Sequence, residues 1–229
     1  MSYLISNSSD SIQTATQTRV RRLQVTPWSV LRWAVFLLLV KVLLTILYEY
    51  RLYFPPDFSA PFLIGRERTF FGLYAPAFYT HIVCGPAAVL LCLAQLSGRV
   101  LRSRPKLHRF AGQSLLGITL VGLFPSGLVM SFYSRGGTIA AWGFAMHISL
   151  TACFAVAAWR AGSAQRWIPH SIHATRCAIL LLSPLMLRVI VGGADIAGLE
   201  PTITYQTVVW LSWLVPLLGY ELLRRRKHG

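Results

Sequence analysis

Six stretches of mostly apolar residues recur along the chain, at about 29–49, 75–97, 110–132, 139–160, 174–196 and 204–223. A helix rises about 1.5 Å per residue, so roughly 20 such residues cross the hydrocarbon of a bilayer. Inside hydrocarbon the backbone finds no water, and a helix closes its own hydrogen bonds. The pattern therefore predicts an all-α fold, a polytopic transmembrane bundle of six spanning helices over residues 28–223. Residues 1–27, rich in Ser, Thr and Gln before a basic stretch, read as a disordered cytoplasmic tail, and residues 224–229 as a short basic one. The first span follows basic residues as a signal peptide would, but its length and the lack of a nearby small-x-small site predict a retained anchor.

Charge sets the orientation. The chain has 22 Lys and Arg against 7 Asp and Glu, a net charge of +15. The basic residues do not gather in one patch. They precede span one (Arg19, Arg21, Arg22, Arg32), separate spans two and three (Arg99, Arg102, Arg104, Lys106, Arg109), flank the loop between spans four and five (Arg160, Arg166, Arg176) and close the chain from Arg224 to Lys227. By the positive-inside rule both termini are cytoplasmic, with the basic loops facing anionic headgroups of the lipid bilayer. This distribution argues against nucleic acid as a partner.

The only sizeable extramembrane stretch, about 51–74, carries Pro55, Pro56, Pro61 and the aromatics Tyr53, Phe54, Phe58, Phe70, Phe71 and Tyr74. Aromatics favour the membrane interface, so this segment is expected to lie along the outer surface as a short re-entrant or interfacial helix and to pack on the bundle, with a lid as the alternative. Gly136-Gly137 predicts a tight turn that makes spans three and four antiparallel neighbours. Pro86, Pro125, Pro184 and Pro216 stand near mid-span and predict kinks. Cys84, Cys92, Cys153 and Cys177 have no metal-ligand spacing and read as packing residues.

Four histidines fall inside or at the mouths of these spans, at two depths: His81 and His147 towards the outer face, His108 and His170 at the inner one. A neutral imidazole can coordinate a metal, and paired imidazoles from facing helices are the usual axial ligands of a b-type haem. Lys41 and Arg188 fall at the outer histidine depth, on the order of 10 Å below the surface. They either snorkel to Glu49 and Asp195 or hold an anionic ligand such as haem propionates, a quinone headgroup or a phosphate. The inner histidines are shallower. His108 lies in Arg-Pro-Lys-Leu-His-Arg, and His170 follows Pro169 in a loop-like stretch, with His173 one turn on as the alternative ligand; contact with lipid phosphate is the other reading of both.

The residues from His81 to about Ile190 resemble a bacterial membrane-protein family known as domain of unknown function 2306. The resemblance is carried by His81 with Gly85, Gln95, Leu101-Arg102, Leu107-His108-Arg109 with Gly112, Gly136-Gly137, Gly143-Phe144, the His170 to Arg176 spacing and Leu187-Arg188. It implies a compact helical domain of the bacterial inner membrane and no defined activity. The family usually has an apolar residue at the position of His147 and a tryptophan at that of His173. In its helix order and histidine placement the chain is also similar to the ascorbate-reducible transmembrane cytochromes b, which bind two haems.

These readings favour haem b held by His81, His147, His108 and His170, with Lys41 and Arg188 near propionates, and electron transfer across the bilayer to a redox partner. The alternatives are a transporter or binding protein for a small anionic or lipid-like molecule, and a structural membrane subunit. No hydrolase or phosphate-loop signature is present.

Overall fold

A computed structural model of the protein describes residues 27–60 and 62–226. The expected tail before Pro27 and the last three residues lie outside them. The chain divides into two compact units, up to Leu38 and from Leu39 onward. Helix α1, Pro27–Glu49, coincides with the first expected span. In the first unit it brings Trp33 edge-to-face against Phe36.

From Tyr74 onward the second unit is helical apart from its turns. Helix α2 is Tyr74–Leu96, α3 Gly98–Ser103, α4 Pro105–Gly117, α5 Phe124–Phe132, α6 Gly137–Ser163, α7 Trp167–Ile196 and α8 Pro201–Arg226. A π-helical turn, Ile118–Leu123, joins α4 to α5, so that Pro105–Phe132 is one long element. This element and α2, α6, α7 and α8 are five helices long and apolar enough to cross a membrane.

Two of them start earlier than the apolar runs indicate. Pro105 opens α4 at its first position, and Pro169 sits in the first turn of α7, where a missing N–H costs nothing. Prolines that read as loop residues are thus helix openers, and His108 and His170 are both helical rather than in loops. At the other end of the chain, helix α8 runs on through Arg224 to Arg226.

Helices α2, α4 with α5, α6 and α7 form a ring of neighbours that α7 closes against α2, while α8 packs on α6 and α7. Small residues let them approach. Helix α6 buries Ala140, Gly143, Thr151, Ala152, Ala155, Ala158 and Ala161 along one face, the membrane pattern of close packing through small side chains. A Cβ on Gly143 would lie 2.6 Å from Val209, and one on Gly136 would lie 2.9 Å from Tyr205. Ala88, Cys92, Leu123, Ile148, Ala155, Cys177 and Leu181 fill the ring's centre. Of the four cysteines, Cys92 and Cys177 are buried, Cys84 is partly so and Cys153 is exposed; all are free thiols.

The mid-span prolines shape the interior through the carbonyls they orphan. A proline has no N–H for the carbonyl four residues earlier. Pro86 leaves the Ile82 carbonyl, and the Tyr50 hydroxyl donates to it. Pro184 leaves the Leu180 carbonyl, which accepts from His147 Nε2 at 2.9 Å and from Ser183 Oγ at 2.9 Å. Pro125 stands just after the π turn, whose wider winding absorbs the clash of the ring with the preceding helix.

Between α1 and α2, residues 50–73 fold as a cap with its own core. Tyr53, Ala60, Leu63 and Phe70 are buried with Tyr74 and Phe78 at the start of α2. Tyr79 donates to the Tyr53 carbonyl at 3.0 Å. Beyond the short 3-10 turn Tyr50–Leu52, the cap's described residues contain no helix. The expected packing of aromatics on the bundle is what forms.

Candidate functional site

The histidines of each level come from helices opposite one another in the ring: His81 on α2 and His147 on α6, His108 on α4 and His170 on α7. His147 is among the electrostatic neighbours of His81, and His170 among those of His108.

Hydrogen bonding fixes the tautomers. The Ser126 hydroxyl donates to the Gly122 carbonyl at 2.6 Å, so its oxygen accepts from His81 Nδ1 at 3.2 Å, and the lone pair of His81 is at Nε2. His147 gives its Nε2 proton to the Leu180 carbonyl, with Ser183 Oγ also 2.9 Å away, which leaves the lone pair at Nδ1. His170 donates from Nδ1 to the Ala158 carbonyl at 2.9 Å and keeps Nε2 open. An imidazole whose N–H is anchored to a carbonyl presents its other nitrogen in a fixed direction, as a metal ligand must.

His108 differs from the other three. Its Nδ1 is buried without a hydrogen-bond partner, a costly state for a polar atom. Around it the family-like residues converge. Gln95 Nε2 donates to the His108 carbonyl at 2.6 Å, and a Cβ on Gly112 would stand 3.4 Å from Gln95 Oε1. Opposite, a Cβ on Gly162 would lie 2.9 Å from His170 Nδ1, so a glycine there makes room for the ring. Lys106 and Arg109 line a groove with Pro105, Phe110 and Gln113 on another face of α4.

The remaining candidates are held elsewhere. Arg188 Nη1 lies 3.7 Å from the Glu49 carboxylate, an acid named in the snorkelling reading. Asp195 and Lys41 are exposed. His173 stacks on Phe154 at 6.1 Å, with its Nδ1 3.4 Å from Arg176. Arg176 pairs with Glu221 at 2.7 Å, and Arg224 joins the same carboxylate at 2.9 Å. Arg176 is therefore engaged within the protein and not held out towards lipid phosphate. Among the described residues no group of three or more His, Cys, Asp or Glu could hold a metal; an axial pair needs two.

One residue that does not stand out in the sequence is Arg66. Arg66 is 9% exposed and lies in the cap, with Nε donating to the Phe62 carbonyl at 3.2 Å and Nη1 to the Tyr133 carbonyl at 2.9 Å. Its guanidinium stands 5.3 Å from the Phe62 and Tyr74 ring centres. Burial lowers its pKa from the ordinary value. The available signal was an arginine set in the apolar, aromatic run from Phe58 to Tyr74.

Ring order, small-residue packing and five membrane-length helices define a multi-pass helical membrane protein. The chain belongs to the family described as "Predicted membrane protein (DUF2306)", which matches residues 78–223, well over half its length. That match takes in the histidines of both levels and continues through most of α8. No curated protein and no solved structure matches the chain.

Proposed function

We propose that the protein binds one b-type haem between His108 and His170 and carries single electrons at the inner end of the bundle. The observation that supports this most is the buried, unpartnered Nδ1 of His108 opposite a His170 whose Nδ1 is anchored and whose Nε2 is open. His108 and His170, two imidazoles from opposite helices, would hold the haem, which would supply one-electron chemistry. Gln95 holds the backbone at His108, and Gly162 admits the His170 ring. Both histidines also belong to the family resemblance, whereas His147 departs from it.

On this reading all six apolar helices span the bacterial inner membrane, with α1 as the first span and both termini cytoplasmic. The basic stretch between α2 and α4 then lies on the haem side, facing anionic headgroups and a redox partner.

The test is the optical spectrum of the purified full chain, oxidised and then reduced. The expected result is a Soret band that sharpens on reduction and is lost in His108→Ala and in His170→Ala. Protein without a Soret band, or with one untouched by both substitutions, would overturn the proposal.

A further inference from the structure

The cap contains a buried cation without a counter-ion. Burying a charge is costly unless it is paired, and no carboxylate forms an ion pair with Arg66 among the described residues. Its electrostatic neighbours are Tyr74, a second cation, Arg135, and Tyr205. The turn carbonyls of Phe62 and Tyr133 take part of its donor capacity, and Nη2 makes no hydrogen bond among the described residues. Arg135 comes to the same turn from the other side, donating from Nη2 to the Phe62 carbonyl at 3.2 Å and to the Ile64 carbonyl at 2.6 Å.

A second, independent observation concerns Tyr74. Its side chain is fully buried, its ring faces Arg66, and its hydroxyl has no hydrogen-bond partner. A buried hydroxyl left unmade costs stability. Beside two guanidinium groups it is a donor in want of an acceptor. Tyr205, from α8, lies within range of the same two arginines.

We infer that Arg66, Arg135 and Tyr74 form a binding site for a phosphate-class anion at the capped end of the bundle. Arg66 supplies the buried charge, Tyr74 a hydroxyl donor, and the exposed Arg135 the route of entry. Arginine suits this role because its planar fork presents several donors to a tetrahedral oxyanion. The ligand is either a free phosphate or the phosphate of a lipid headgroup, and this site is independent of the haem proposed at the other end.

The test is thermal unfolding of the full chain in phosphate-free maltoside micelles, titrated with inorganic phosphate against chloride at equal ionic strength, beside the same micelles containing phosphatidylglycerol. A rise in midpoint with phosphate assigns a free anion; a rise with phosphatidylglycerol alone assigns a headgroup. Either response should weaken about ten-fold or more in Arg135→Gln and in Tyr74→Phe. Tyr74→Phe should also unfold at a higher temperature than the wild type without ligand, since it removes an unpartnered hydroxyl. No response to either probe, a response unchanged in both variants, or a ligand-free Tyr74→Phe midpoint below the wild type's would each overturn the inference.

Discussion

The outer and inner histidine pairs use the same side chain in mirrored places, yet the bundle treats them differently. At the outer level both imidazoles are hydrogen-bonded, and His147 occupies a carbonyl that Pro184 leaves open. At the inner level one imidazole is anchored and the other keeps a buried nitrogen without a partner. The lesson is that depth and residue type do not distinguish repair of a helix from readiness for a ligand. The hydrogen-bond inventory of each ring does.

The largest effect that would break this contrast is at the outer level. His147→Leu should lower stability by about 1–3 kcal/mol, because a buried carbonyl loses a donor. Adding Pro184→Ala returns an N–H to that carbonyl and should recover a large part of the loss in a double-mutant cycle read by thermal unfolding. Additive effects would show that His147 does not serve Pro184.

At the inner level Gly162→Ala should cost about 1–3 kcal/mol through overpacking against His170. The same change should alter the haem spectrum on the proposed reading, whereas His147→Leu should not. Equal spectral effects from both variants would erase the distinction between levels.

A smaller effect sharpens the proline rule itself. Tyr50→Phe removes the donor to the Ile82 carbonyl and should cost about 1 kcal/mol, relieved by Pro86→Ala. The smallest effect is in pH. Burial, and next the nearby Glu49, push the Tyr53 phenol up to about 12. A raised phenol pKa means that the fold favours the neutral form, so this stabilisation is complete below pH 10 and lost as pH climbs from about 10 towards 12. The cap's melting midpoint should fall in that window, and less so in Tyr53→Phe.

Much of the fold was legible because hydrocarbon imposes length. The apolar runs located α2, α6 and α8 within a few residues, and Gly136-Gly137 located the turn before α6. The starts of α4 and α7 were not legible, since Pro105 and Pro169 are opening residues that composition alone does not separate from breakers. The histidine depths could be read from spacing, but which helices face each other across the ring could not. Arg188 and Glu49 were both noted, but in different pairings, because their contact joins α1 to α7, far apart in sequence. Arg66 did not stand out. It lies in the cap, whose turns carry no periodicity to show which residues face inward.

The most direct measurement is the haem content of purified wild-type protein beside His108→Ala, His170→Ala and His147→Leu. Inner ligation predicts one haem per chain in the wild type and in His147→Leu, and none in the two inner variants. Haem absent from the wild type, or lost from His147→Leu while the inner variants keep it, would contradict it.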